Sequence, residues 1–426
     1  MPVRTAINTF SSQTQKYVDY SFLASNYNRG KSMPSNTKRV QFVVKSSKFC
    51  NLRCRYCYEY SELGNRAAIA PEQLDKMYSH IASYYSQLDH PTEIEFVWHG
   101  GEPLLQSPDY YWQTFDRQQE IFGELASSVT NIVQTNLTVL NKERIQLLRD
   151  GFDGVGVSVD LFGGLRTNQA GMDSQTTVLK NMDRLRDENI PYGCITVLTK
   201  LNLPYIQKIY KFFEKMNLSF RLLPLFNGAF DGQHKGFEIN ANEVLSAFCT
   251  LVDLWMEGDR LVVVQPIMDH IQQILHYYSP DSEPFYYDKK EWESIYLVNV
   301  TGDVYSYADA YNIEFSHGNL FKDSMEEIVL GSAHQKVIKA AEERIASTCT
   351  FCPYFGSCSG YPVAEEGILH NQVDDKGNML CIKERGLLQH IEMRLKQAGI
   401  IDSATGKLNI KHRIPSKSIP ALDCPL

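Results

Sequence analysis

No stretch of this 426-residue chain approaches the roughly 18 consecutive apolar residues that cross a membrane. Its N-terminus has no basic segment leading into an apolar run that ends in small residues. Neither membrane insertion nor secretion is expected, and the expected location is cytoplasmic. Long Lys/Arg blocks are missing too. With 42 basic against 50 acidic residues the formal net charge is −8, and only KLNIKHRIP at 407–415 is locally basic, so nucleic acid is not the expected partner. Low-complexity tracts are absent. Hydrophobic residues at 43% and charged residues at 22% are ordinary for a globular chain, which excludes a disordered or fibrous architecture.

What the chain does have is cysteine. Ten cysteines without a secretory signal point to metal binding or catalysis rather than to a disulfide framework. Seven fall into two groups, Cys50, Cys54 and Cys57, then Cys349, Cys352, Cys358 and Cys381, while Cys194, Cys249 and Cys424 stand alone. Cys194, within CITVL, and Cys249, on an apolar helix, read as packing residues, since a free thiol behaves as a small hydrophobe. Cys424 reads as a bystander near the terminus, or as a further ligand if the tail folds back.

Residues 1–37 are polar and aperiodic and read as an extension. From Val40 onward short apolar segments alternate with helical ones: VQFVVK, EIEFVW, SVTNIVQ, GVGVSV, YGCITVL and SFRLLP are each followed by a helical period. The expected fold is α/β, a partial (βα)6 barrel of TIM type over 38–257 with a parallel sheet. A less regular connection at 258–290 leads to short antiparallel strands, SIYLVNV and DVYSY, in a second domain at 291–397, and a tail occupies 398–426.

Cys50, Cys54 and Cys57 follow the first strand as C-x3-C-x2-C. Three thiolates can hold three irons of a 4Fe–4S cubane and leave the fourth open to an exchangeable ligand, whereas a closed structural site uses four protein ligands. Half of a zinc site, or a redox pair, is the alternative. The next strand ends in Trp98-His99-Gly100-Gly101-Glu102-Pro103, where two glycines permit close backbone approach to a ligand and a carboxylate can receive an ammonium group. Other polar residues also gather where the C-terminal ends of strands are expected, where barrels of this kind bind ligands: Gln134, Thr135 and Asn136, then Ser158 and Asp160, then Thr199 and Lys200.

With both motifs in order, and Tyr56 as the aromatic before the third cysteine, the chain resembles the radical S-adenosylmethionine superfamily. The resemblance implies that the methionine moiety of S-adenosylmethionine chelates the open iron, with Gly100, Gly101 and Glu102 meeting its amino group. It makes His99 a candidate polar contact or a structural histidine, and Ser158 and Arg166 candidates for the ribose and carboxylate contacts. Reductive cleavage of the cofactor gives a 5′-deoxyadenosyl radical that abstracts hydrogen from an unactivated C–H bond.

The second group, C-x2-C-x5-C with Cys381 beyond, supplies four thiolates, a closed set for one cluster or for a structural zinc. This segment, with GNLFKDSMEEI before it, resembles the SPASM extension of the same superfamily, an iron–sulfur domain with seven cysteines and two auxiliary clusters. Four intervening residues after Gly302 lead to Tyr307 and three after Cys358 lead to Pro362, where the full pattern has cysteine, and no cysteine precedes Gly302 in the expected window. The absent ligands all belong to the family's first auxiliary cluster. The expectation is therefore two 4Fe–4S clusters, one radical-generating and one auxiliary, with Tyr305 and Tyr307 candidates to line the vacated volume or merely to fill it.

Members with SPASM extensions mostly modify peptides, so a ribosomally synthesised precursor peptide is the expected substrate, and an external electron donor of flavodoxin or ferredoxin type the other partner. KFCNLRCRYCYEYSELGN and WHGGEPLL most resemble maturases that join an aromatic side chain to a β-carbon in a cyclophane ring, a closure that sheds a second electron for which the auxiliary cluster is an acceptor. An anaerobic sulfatase-maturing enzyme is the nearest alternative, but those carry Cys-Asp where this chain has Tyr307-Ala308, with Asp309 one residue on, and alanine is no general base. A peptide epimerase would need a hydrogen donor, for which Cys194 or Cys249 remain open. A zinc-scaffolded binding protein is the non-catalytic alternative.

Overall fold

The structure is a computed structural model that describes residues 37–225, 232, 235–258, 260–279, 282–306, 313–365 and 380–409. Residues 1–36, the Tyr307-Ala308-Asp309 segment and Cys424 lie outside the described residues.

Six βα units succeed one another: β1 (Lys38–Ser47), α1 (Pro71–Tyr85), β2 (Thr92–Gly100), α2 (Pro108–Phe122), β3 (Val129–Thr135), α3 (Lys142–Asp150), β4 (Gly154–Ser158), α4 (Gln175–Asp187), β5 (Gly193–Leu198), α5 (Ile206–Met216), β6 (Phe220–Pro224) and α6 (Ala241–Glu257). Alternation along each strand separates two faces. Val40, Phe42 and Val44 of β1 and Ile94, Phe96 and Trp98 of β2 are fully buried. Phe42 stacks on Phe96 and meets Tyr85 of α1 edge-on, so this parity faces the helices. The opposite parity carries Arg39 and Gln41, which both donate to Glu95, and, at the strand ends, Lys45 and His99, which are register partners. The inner face therefore carries polar side chains above and below a middle layer that includes Val43 and Val97.

The stretch 258–290, expected to be irregular, contributes β7 (Val264–Gln265), a seventh parallel strand beside β6, and α7 (Ile267–Tyr277). The strand SIYLVNV also differs from expectation. As β8 (Ile295–Val298) it does pair antiparallel with β9 (Asp303–Ser306), but its other edge runs parallel to β1. With β10 (Gly318–Asn319) this makes one ten-stranded sheet, in the order β10-β9-β8-β1-β2-β3-β4-β5-β6-β7. The physical reason is the open edge of β1. That strand is long and apolar, and β8 both satisfies its backbone groups and buries Tyr296 against Phe42, with ring centroids 5.4 Å apart.

Beyond the sheet come α8 (Met325–Leu330), α9 (Ser332–Cys349) and α10 (Ile382–Gln397). Helix α10 lies on α6 and α7: His390 and Arg394 both reach Asp253 at 2.8 Å, and the Tyr278 hydroxyl donates to Glu392 at 2.5 Å. Among the described residues no helix is long and apolar enough to cross a membrane.

A buried charge network ties the C-terminal elements together. Lys289 Nζ lies 2.6 Å from Glu293 and 2.7 Å from Glu365, while Glu293 also accepts from Ser306 Oγ and faces His334 Nε2 at 3.0 Å. All of these side chains are nearly inaccessible. Removing one member of such a set leaves an uncompensated charge that costs more than the pair contributed. Lys289→Met is expected to lower stability by about 3–5 kcal/mol, read as a fall in the urea midpoint at an unchanged slope.

Candidate active site at the C-terminal ends of β1 to β4

The cysteine loop leaves β1 and is held by backbone bonds on every side. Cys50 N–H donates to Leu63 O at 3.0 Å, Arg53 N–H to Thr167 O at 2.6 Å, and Arg55 N–H to Leu165 O at 2.9 Å. Cys57 N–H turns back to Cys54 O at 3.0 Å. The loop therefore lies between the β1–β2 edge and the 161–174 segment that follows β4.

The glycines of the next strand end serve this docking. Gly101 N–H donates to Ser47 O at 2.8 Å and Glu102 N–H to Phe49 O at 2.9 Å. A Cβ at Gly101 would overlap the carbonyl oxygens of Lys48 and Phe49, and Gly100 adopts φ of 124° with Ser47 O where its Cβ would be. The space that a side chain would take at each glycine is filled by the cysteine loop's own backbone.

Glu102 is 2% exposed and accepts three hydrogen bonds, from Leu104 N–H at 2.9 Å, Thr135 Oγ1 at 2.6 Å and Asn136 N–H at 2.7 Å. Burial pushes its carboxyl up and these donors oppose the shift. Around the cysteines, Arg166 NH1 lies 3.8 Å from Cys54 Sγ, and its Nε donates to Asp160 Oδ2 at 2.8 Å. Tyr56 donates to the same carboxylate oxygen, and Val197 N–H donates to Asp160 Oδ1 at 2.7 Å. Asp160, polar and at a strand end in the sequence reading, thus locks both the motif tyrosine and Arg166.

Ser158 Oγ is 2.7 Å from Gln134 Nε2, at the ends of β4 and β3. His99 keeps a buried Nδ1 without a hydrogen-bond partner, and burial pushes its pKa down to about 4, so the ring is neutral. Lys45, whose inward parity the sequence did not flag, is ion-paired with Glu59, two residues past Cys57.

Cys50 and Cys57 are pushed up to about 12 by burial, with Glu102 the largest neighbouring charge for the first and Cys54 for the second. A reactive thiol needs the opposite shift, so these side chains suit metal ligation, in which the metal displaces the proton, better than a redox pair. An unpartnered imidazole nitrogen and an oriented, buried carboxylate beside them fit a polar cofactor.

The second group gathers at the end of α9, the following loop and the start of α10. Cys349, Cys352, Cys358 and Cys381 line a cavity of about 310 Å³ together with Phe355 and Leu388. Burial pushes Cys349 and Cys381 up to about 12, followed by Cys358 for the first and Glu384 for the second. Among the described residues no three Cys, His, Asp or Glu side chains close around a single ion. Four thiols lining one volume are a donor set for a polynuclear cluster or for a structural zinc.

The solitary thiols lie elsewhere. Cys194 is 1% exposed near the start of β5, and Cys249 is half-buried on α6, so neither is at a C-terminal strand end. Tyr305 is buried on β9.

Residues 44–213 match the radical SAM superfamily model. The chain therefore carries a radical S-adenosylmethionine domain over these residues, marking an enzyme of a superfamily that uses S-adenosylmethionine and a 4Fe–4S cluster, on an α/β partial-barrel fold. The non-catalytic zinc-scaffold reading is set aside. Similar curated proteins include a serine-type anaerobic sulfatase-maturating enzyme of Bacteroides thetaiotaomicron, 22% identical over 73% of this chain and 79% of that one. A cysteine-type anaerobic sulfatase-maturating enzyme of Clostridium perfringens is 20% identical over 75% of this chain and 87% of its own length. Among solved structures, native anSMEcpe with bound AdoMet and Cp18Cys peptide superposes with a TM-score of 0.66 at 17% identity, covering 85% of this chain and 99% of that one. Streptococcus suis SuiB bound to S-adenosylmethionine gives 0.51 at 12% identity, over 76% and 75%. These likenesses show a shared fold.

Gly101→Ala is expected to displace the cysteine loop and to lower iron per chain after anaerobic reconstitution by about four, measured by iron and sulfide assay.

Proposed function

We propose that this enzyme matures a ribosomally synthesised precursor peptide in the cytoplasm by joining an aromatic side chain to the β-carbon of a nearby residue. Cys50, Cys54 and Cys57 hold the radical-generating cluster, and Cys349, Cys352, Cys358 and Cys381 the auxiliary one. Glu102 receives the cofactor's amino group, and Arg166, fixed by Asp160, lies beside Cys54 at the cofactor's carboxylate. Ser158 and His99 are the remaining contacts. When bound, the cofactors supply a carbon radical able to take hydrogen from an unactivated C–H bond. The barrel orients the substrate above the strand ends and excludes water.

The observation that carries this reading is the convergence of Glu102, Asn136, Arg166 and the three cysteines at one end of the sheet. The peptide substrate draws on the fold shared with a peptide-bound relative. The cross-link rests on the local resemblance around Cys50–Tyr60 and WHGGEPLL. Formylglycine formation is the second reading, favoured by the names of relatives that span about three-quarters of the chain. An epimerase drawing hydrogen from Cys194 or Cys249 is disfavoured by their places, at the N-terminal end of β5 and on α6.

Two measurements test the assignments. Anaerobic reconstitution should give about eight irons per chain, of which Cys349→Ala removes about four, as two cubanes require. Anaerobic co-expression with small open reading frames from the gene's neighbourhood, followed by mass spectrometry, should show loss of two hydrogens per modified motif in a product inert to aldehyde reagents. An aldehyde-reactive product would establish formylglycine formation, and deuterium uptake without mass loss in ordinary water would establish epimerisation. An external reductant, flavodoxin or ferredoxin, is required in either case.

A further inference from the structure

Asn136 follows β3, is 5% exposed and touches both halves of the site. Its backbone N–H donates to Glu102 Oε2 at 2.7 Å, and its side-chain Nδ2 lies 3.8 Å from Cys50 Sγ. The orientation of the amide follows from its partners. Oδ1 receives Thr138 N–H at 2.9 Å and the Thr138 hydroxyl at 2.6 Å, so the NH2 end must face Asn51 Oδ1, at 3.1 Å, and the sulfur. Cys50 Sγ also receives Leu52 N–H at 3.4 Å.

The placement matters because Glu102 and Cys50 are both buried, and Asn136 is tied to each of them. Asn136 stands between them and donates a hydrogen bond to each. In a low-dielectric site such donors act strongly on charged acceptors. Reduction adds a negative charge to the cluster and its thiolates, so a donor at a ligand sulfur stabilises the reduced form more than the oxidised one.

We propose that Asn136 is a positioning residue that raises the reduction potential of the radical-generating cluster by hydrogen-bonding Cys50. The proposal rests on the assignment of Cys50, Cys54 and Cys57 to that cluster. Without the amide, the cluster remains bound but is harder to reduce.

The test is an anaerobic redox titration of the reconstituted full chain, following the EPR signal that added S-adenosylmethionine perturbs, since only a cluster with an open iron answers to it. At the potential where the parent enzyme is half reduced, Asn136→Ala should show a reduced-to-oxidised ratio about tenfold lower, a midpoint about 59 mV more negative. Asn136→Asp keeps the shape and the Thr138 bonds but replaces the donor with a negative oxygen, and should shift the midpoint at least as far. It keeps the test open should the alanine variant lose iron. Asn51→Ala removes the other Nδ2 partner and a bond to the Thr138 hydroxyl, leaves Thr138 N–H to hold Asn136 Oδ1, and should titrate with the parent enzyme. Unchanged midpoints in iron-replete Asn136 variants would overturn the proposal, as would an equal shift in Asn51→Ala. A parent chain with no S-adenosylmethionine-sensitive signal would instead sink the cluster assignment beneath it.

Discussion

The site depends on one backbone contact, the docking of the cysteine loop onto the end of β2. Gly101 and Glu102 donate their N–H groups to Ser47 and Phe49, and no side chain fits at Gly101 while they do. This fixes where the three thiols stand relative to the Glu102 carboxylate. Everything else at the mouth of the barrel is referred to that pair: Thr135 and Asn136 orient the carboxylate, Asn136 and Arg166 reach the sulfurs, and Asp160 holds Arg166 and Tyr56. The parallel sheet supplies the geometry, because its strands all end on the same side and their loops must meet there.

Much of this was legible in the sequence because it is local. A strand followed by a helix carries its period within about 30 residues, and the six βα units stand out for that reason. C-x3-C-x2-C and Gly-Gly-Glu are likewise short strings. The seventh strand was not legible, since Val264–Gln265 is too short to alternate. The parallel pairing of β8 with β1 was not legible either: its apolar run fits an antiparallel hairpin, and only the unoccupied edge of β1 makes the second pairing.

The same distinction divides the site. Cys50 and Asn136 are 86 positions apart, and Tyr56 and Asp160 are 104 apart. No spacing rule joins residues at such distances. Asn136 and Asp160 stood out as polar residues at strand ends, and Cys50 and Tyr56 through the cysteine motif, but their partners required the register of four strands. Lys45 illustrates a signal that was available and weak. The lysine that ends VQFVVK stands at an inward position, and in the structure it pairs with Glu59, two residues past Cys57.

Burial sets the terms on which metal can enter. The thiols of both groups are pushed up by their surroundings, so loading a cluster must release protons and is favoured as pH rises. What offsets the cost is preorganisation. The first loop is already bonded to Leu63, Leu165 and Thr167 through its backbone, so little chain entropy remains to be lost when its side chains bind. The second group is different. Its thiols come from the end of α9, a loop and the start of α10; α10 is fastened to α6 through Asp253 and, through its own Glu392, to Tyr278 after α7 and to Tyr354 of the cysteine loop. A metal group bound there would tie α9 to α10, the helix that is itself held on α6.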